Sequence, residues 1–442
     1  MEFGSEKRNG HILEGRTLHF PRMSTEGAEC LAAAFRSFGA KAKVSPPSDD
    51  ETLKLVARFT TGEECLPQRV TMGNFLKIVL DENFIPAEHA FFMPTSSGPC
   101  RFGQYAPLFQ KVLRDLGFNE AIVFAPTSSN GYEGISTRKR RFQIIAWRAV
   151  IASDAIRKLL LMFRPYERSS GDSDAIMDRH LIKLCSILSQ PEMPLNSQMN
   201  ALIGVFEEAR DDFLRMPLAE TPGSRPLIGV VGEIFLRFNE FSNQNILRKI
   251  EAAGGETWIA GVAEWIYYTN ADQKRKLRDL NQSWSLSMIG AYIRGWWQHW
   301  EEKRILSPLD ELFATRPESR VEELLSLSRP YLPADKALGE MTLNTGNAIA
   351  FYHAGCDGVV DISPFTCMNG IVTEAIYPNV SHDLNGFPVR IFYFDGVPFD
   401  LDRDLEIFME LVHAYRRKRF ERFRSIPSGK TAAEARSVWS GC

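Results

Sequence analysis

An α/β protein of two doubly wound, parallel-sheet domains with helical insertions is the fold class this chain predicts, and three observations predict it. Short apolar runs alternate with helical stretches, the pattern of βαβ units. Residues 226–234, PLIGVVGEI, are almost continuously apolar, as in a parallel strand covered on both faces. The strand–helix–strand pattern that opens the chain starts again there, as a repeat of architecture without a repeat of sequence.

The elements follow in order. RTLHF at 16–20 is the first strand. Ser24 or Thr25 caps a helix over 27–38, Gly39 ends it, and KAKV at 41–44 is the second strand. The acidic SPPSDDETLK begins another helical region. In residues 60–80, TTGEECLPQRVTMGNFLKIVL, a small-residue turn leads to Cys65. Pro67 then starts a helix with Val70, Phe75, Ile78 and Val79 on its apolar face. Residues 91–93 form a short strand that breaks into the small-residue loop 94–98. The fixed φ of Pro99 suits a helical first turn, and the helix continues through 108–116 to Gly117. AIVFA at 121–125 is a buried strand ending in the polar loop PTSSNGYEG. Residues 145–220 read mostly as helix, with Cys185 on an apolar face as part of the core.

After the strand at 226–234, FLRFNEFSNQN leads into a helix over 246–253, closed by Gly254 and Gly255. Residues 257–259 are the next strand. Residues 274–328 return to helix and carry the aromatic cluster GWWQHW, read as packing. A helical approach over 339–353 precedes the strand GVVDI at 358–362. VRIFYF at 389–394 is the last strand, and a charged helix over 402–423 closes the chain. The divisions are a first Rossmann-like domain over 6–144, a helical connecting region over 145–224, and a second Rossmann-like domain over 225–426 with a helical insertion at about 272–335. The tail 427–442 reads as disordered, and MEFGS at 1–5 as a cloning remnant.

Hydrophobic residues make up 44% and charged residues 24%, which supports a sizeable core without disulfides. With 52 basic and 55 acidic residues the net charge is −3, so nothing points to nucleic acid or an anionic membrane surface. No apolar run reaches the length of a membrane span, and no secretory signal is visible. The 7 cysteines are odd in number and widely spaced, which indicates a reducing, cytoplasmic compartment and free or metal-bound thiols.

Cys100 is the first chemical candidate. It falls in or beside the first turn of a helix, where backbone N–H groups and the helix dipole lower a thiol's pKa and suit a thiolate nucleophile or metal ligand. Arg101 adds a positive charge next to it. The plain alternative is a small cysteine buried at a strand end. Cys65 also precedes a helix start, and Cys367 lies just past the end of a strand. Ligands of open parallel sheets collect at the carboxyl ends of strands, so two facing domains bring these three thiols into one cleft. Three thiolates hold a [4Fe–4S] cluster with one iron left open. Structural zinc prefers four ligands with a close pair, and the chain has no CxxC. No Walker A loop occurs, GVVGEIF is a poor match to GxGxxG, and the pair His353 and Cys356 lacks an orienting third group.

PRMS (21–24), TTGEECLP (60–67), FFMPTSSGPCRFGQY (91–105), PTSSNGY (126–132), RPYE (164–167), PLIGVVGEIFLRFNEFSNQN (226–245) and CDGVVDISPFTCMNG (356–370) together resemble the 2-hydroxyacyl-CoA dehydratase family. The likeness is to the dehydratase-like portion associated with ATP-dependent activases and to the double-cubane cluster proteins, over roughly residues 14–425. It implies an iron–sulfur cluster, [4Fe–4S] or a double-cubane [8Fe–9S], that receives low-potential electrons from an ATP-dependent activase or activase domain. The implied work is radical dehydration, a lyase activity on an acyl-CoA, or reduction of a small molecule. The implied partners include a second dehydratase-like subunit or a second copy. On this chain the implied metal ligands are Cys65, Cys100 and Cys367, with Cys356 as a further candidate where similar sequences often carry alanine. Related sequences commonly read ECxPC where this chain reads Glu64-Cys65-Leu66-Pro67-Gln68, so Gln68 stands in place of a thiolate. Gln104, Tyr105, Ser129, Asn130, Glu233 and Asn239 are candidate lining residues because they sit at strand ends. Gln68 motivates the alternative of a cluster-free scaffold or partner-binding subunit, and a zinc-bound version of the same site is a third reading.

Overall fold

The structure, a computed structural model, describes residues 13–95, 98–126, 139–333 and 339–424. Ser129, Asn130 and the tail over 427–442 lie outside the described residues. Two four-stranded sheets, parallel throughout, carry the fold. The first contains β1 (Thr17–Phe20), β2 (Lys41–Val44), β3 (His89–Phe92) and β4 (Ile122–Phe124) in the order β2-β1-β3-β4. The second contains β5 (Leu227–Gly232), β6 (Glu256–Ile259), β7 (Gly358–Pro364) and β8 (Val389–Phe394) in the order β6-β5-β7-β8. The expected architectural repeat is therefore a repeat of strand order. Each sheet reverses direction of winding at one point, between β1 and β3 and between β5 and β7, where open α/β sheets form their ligand crevice.

Local chemistry explains most boundaries. Ser24 caps the helix Thr25–Arg36 by accepting a hydrogen bond from the Gly27 amide at 3.0 Å. Asp49 and Thr52 form a reciprocal capping box on the helix Asp50–Val56. β5 and β7 are buried along their whole length, as their apolar runs require. Gly232 ends β5 with φ 124°, and a Cβ there would lie 2.1 Å from the Ile362 carbonyl oxygen on β7. Only glycine permits that approach.

Helices Lys139–Phe163, Asp172–Leu188 and Leu195–Arg215 form the connecting layer, with Leu159, Leu184, Leu202, Phe206 and Phe213 in its core. Cys185 borders that core with its sulfur 4.0 Å from that of Cys30. The helical insertion begins with the helix Val262–Asp279, directly after β6 and so ahead of the expected start near residue 272. A helix absent from the sequence reading, Met368–Asp383, follows β7 and has Pro378 inside it. Buried Asp361 of β7 holds it, accepting hydrogen bonds from Thr373 at 3.1 Å and from the Tyr377 hydroxyl. Among the described residues, no helix is long and apolar enough to cross a membrane.

The two sheet domains share a core. Leu66 and Val70, on the helix Leu66–Val79 of the first domain, pack with Ile228, Val230, Phe394 and Leu401 of the second. Burial of each contributes roughly 1.5–3 kcal/mol. The residue that starts this helix is thereby fixed against the second sheet.

Candidate functional site

Three cysteines occupy the N-cap position of three helical segments. Cys65 caps Leu66–Val79. Cys100 caps the 3-10 turn Arg101–Gln104, which continues as the helix Tyr105–Asp115. Cys367 caps Met368–Asp383. At that position the first backbone amides lack helical partners and are free to face a side chain. The Cys100 sulfur accepts from the Phe102 amide at 3.5 Å, and the Asn369 and Gly370 amides at the start of the next helix favour the Cys367 thiolate. The Tyr105 hydroxyl is hydrogen-bonded to the Cys65 sulfur.

Arg101 ties the three segments together. It donates to the Glu63 carbonyl at 2.8 Å, two residues before Cys65. It also donates to Thr366 Oγ1 at 2.9 Å and the Thr366 carbonyl at 3.4 Å, one residue before Cys367. Thr366 has φ 63°, a left-handed conformation that costs a β-branched residue on the order of 1–3 kcal/mol, so surrounding contacts must hold it. A second link joins Arg69 to the Asp395 carbonyl at 2.9 Å. These contacts place the carboxyl ends of the two sheets face to face.

Two carboxyls, half-buried Glu233 and buried Glu340, line the same place. Glu233 caps the helix Ile234–Phe238 and accepts from the Leu236 amide at 2.9 Å. Glu340 opens the helix Glu340–His353 and accepts from the Ile234 amide at 2.8 Å. Burial, reinforced by the Glu233 charge, pushes Glu340 up to about 8. Burial also raises Glu233. Near neutral pH this pair therefore retains a proton.

The thiols correct one expectation. The helix N-terminus at Cys100 is expected to lower its thiol pKa, yet Cys100, Cys65 and Cys367 are all raised. Burial, then the charge of Glu233, pushes Cys65 up to about 12 against the Tyr105 hydrogen bond and the Arg101 charge. Burial pushes Cys367 up to about 12 against two backbone amides, and partial desolvation raises Cys100 although it is exposed. A thiol of pKa near 12 is ionised at about one part in 10⁵ at neutral pH. Desolvation beside two carboxyls outweighs the helix dipole, and a free thiolate nucleophile is not what this setting produces.

Of the other candidates, Tyr105 is buried at the centre and Gln104 is exposed at its edge. Asn239 serves a different purpose. Its amide donates to the Arg22 carbonyl at 2.8 Å and its oxygen accepts from Ser242 N at 2.9 Å, so it latches the end of β1 to the second domain. Cys356 does not join the group. It is fully buried just before β7, whereas Cys367 follows β7, so the strand's length separates them. Sequence reading overlooked Glu340, which precedes the seventh strand by a whole helix. It also overlooked the clamp made by Arg101, for which no local pattern exists.

Several buried polar atoms around the thiols lack hydrogen-bond partners: Gln68 Nε2, Asn344 Nδ2 and Asn369 Oδ1. Gln68 lies one turn after Cys65 on the same helix face. Asn344 uses its oxygen to accept from the Gly232 amide at 3.2 Å, and Asn369 lies two residues past Cys367. Unpaired buried amides of this kind fit a polar or ionic occupant. Among the described residues, no group of three or more His, Cys, Asp or Glu side chains is gathered closely enough to hold a single metal ion. A cluster makes a looser demand, because each thiolate binds a different iron. No family model matches the chain, and no curated protein matches it significantly.

Proposed function

We propose that this protein is an iron–sulfur redox component of the 2-hydroxyacyl-CoA dehydratase type, with Cys65, Cys100 and Cys367 holding the cluster. The observation that carries the reading is the Arg101 clamp, which brings three N-capping cysteines from two domains to one place. The N-termini of the helices behind Cys65 and Cys367, linked through Arg101, favour an anionic occupant. Raised thiol pKa values argue against a free nucleophile, and a metal bound there displaces the thiol protons. When bound, such a cluster supplies single low-potential electrons, delivered by an ATP-dependent activase, for radical dehydration of an acyl-CoA or reduction of a small molecule. The chain's own residues hold the rest in order. Arg101 fixes the loops, Tyr105 hydrogen-bonds to Cys65, and the Glu233–Glu340 pair retains a proton beside the thiols.

Anaerobic reconstitution with iron and sulfide, followed by analysis of iron, sulfide and zinc per chain, tests this directly. About four irons with matching sulfide support one cubane and about eight a double cubane. Cys100→Ser should lower iron content and leave the circular dichroism spectrum unchanged. Full iron content in that variant removes Cys100 from the ligand set.

Gln68 favours a second reading. It is buried where a thiolate is expected, and its amide nitrogen is unpaired. A chain that keeps the fold while binding no iron under reconstitution is a cluster-free, partner-binding subunit, and stoichiometric zinc marks the zinc-bound version of the site.

A further inference from the structure

The helix Leu286–Leu306 of the insertion has two apolar faces, and only one of them is used. Its inner face buries Met288, Ala291, Gln298, Glu301 and Ile305. Trp147 donates to the Gln298 carbonyl at 3.1 Å, and Arg148 pairs with Glu301 at 2.7 Å, both buried. These contacts lock the helix onto the connecting layer and leave the opposite face to solvent. On that outer face Leu286, Ile289, Ile293, Trp296 and Trp300 follow one another at steps of three and four residues. This is the a/d spacing of a coiled-coil seam, and no charged residue interrupts it.

The exposure is large. Leu286 is 87% exposed, Trp296 70%, Ile293 61%, Ile289 52% and Trp300 42%. Trp284 and Tyr292 extend the patch at 98% and 54%. With roughly 150–250 Å² for each large side chain, the patch offers on the order of 1,000 Å² per chain. A monomer rarely leaves more than a few hundred Å² of contiguous apolar surface exposed. Two such patches reach the roughly 1,600 Å² of a standard stable interface.

We propose that this face is the dimer interface of the protein, formed by antiparallel pairing with a second copy of the same helix. The seam is self-complementary. A two-fold axis between Arg294 and Gly295 sets Ile289 opposite the partner's Trp300 and Ile293 opposite the partner's Trp296, so each β-branched side chain meets an indole. That is the isologous arrangement of a closed dimer. Gly290 flanks the seam and is unexplained by the inner packing, since a Cβ there would meet nothing within 4 Å. In a paired helix its missing side chain lets the partner approach, which offsets its cost of about 1 kcal/mol to the helix.

Sedimentation equilibrium of the full chain, with and without Ile293→Glu and Trp296→Glu together, tests the interface. The unsubstituted chain should be dimeric in the low micromolar range, and the double variant should weaken the dimer by at least about tenfold. Both substituted residues face outward, so far-UV circular dichroism and the melting temperature at monomer concentrations should be unchanged. A chain that stays monomeric up to about 100 μM overturns the proposal. So does a double variant that dimerises as tightly as the unsubstituted chain. Monomeric protein that sediments with phosphatidylcholine and phosphatidylserine vesicles through this face overturns it in favour of a lipid surface.

Discussion

Arg101 bridges the segments bearing Cys65, Cys100 and Cys367, and its loss should be felt at the site before it is felt in the fold. It is half-buried and makes three hydrogen bonds to two loops. Arg101→Met keeps the stem and removes the donors, at a stability cost of about 1–2 kcal/mol. Iron uptake per chain should fall by more than half while the circular dichroism spectrum is retained. Unchanged uptake would show that the loops hold their places without the clamp. The thiols carry a second prediction at this scale. Because burial pushes Cys65 and Cys367 up to about 12, their alkylation by iodoacetamide should be slow at pH 7 and rise about tenfold per pH unit through pH 10. Peptide mass spectrometry reads both sites separately, and a plateau below pH 9 would contradict the burial argument.

Elements, rather than single residues, set where the thiols stand. The helix Leu66–Val79 sets Met72, Phe75, Leu76 and Val79 into the first domain's core and Leu66 and Val70 into the second's. Leu66→Ala should cost about 2–5 kcal/mol and loosen the Cys65 segment at the same time, measured by urea denaturation and by faster Cys65 labelling. β5 and β7 depend on Gly232. Gly232→Ala sets a methyl group against the Ile362 backbone at a positive φ, so it should cost more than about 4 kcal/mol or prevent folding. Most elements were legible because they rest on local signals. KAKV and VRIFYF match β2 and β8 residue for residue, and Ser24 and Pro67 mark real helix starts. Met368–Asp383 was not legible, because its stability comes from Thr373 and Tyr377 reaching Asp361 on a neighbouring strand, with a proline in its middle. A tertiary contact overrides a weak local propensity there.

Across the whole molecule, buried carboxyls make stability depend on pH. Asp154, on the connecting helix Lys139–Phe163, accepts from the Ala263 amide at 2.8 Å and is pushed by burial from 3.8 to about 7. Its folded pKa exceeds its unfolded one, so its stabilising contribution is complete below about pH 4 and is lost as pH rises through about 7. Asp154→Asn keeps the acceptor and removes the titration. Its urea midpoint should fall less than that of the unsubstituted chain between pH 5 and pH 8. Equal falls in the two proteins would remove Asp154 as a source of the dependence.

By itself the sequence determined the α/β alternation, the two restarting domains and the presence of thiols at helix starts, since each of these follows from periodicity, caps and turn residues within a few positions of one another. Only the tertiary structure decided which thiols share a site. It sent Cys356 to the far end of β7, made Asn239 a latch between domains, and added Glu340 and the Arg101 clamp. It also reversed the expected thiol pKa shift. A helix dipole is read from neighbours in the chain, whereas desolvation is set by residues brought from more than a hundred positions away, and inside a protein that second effect is the larger.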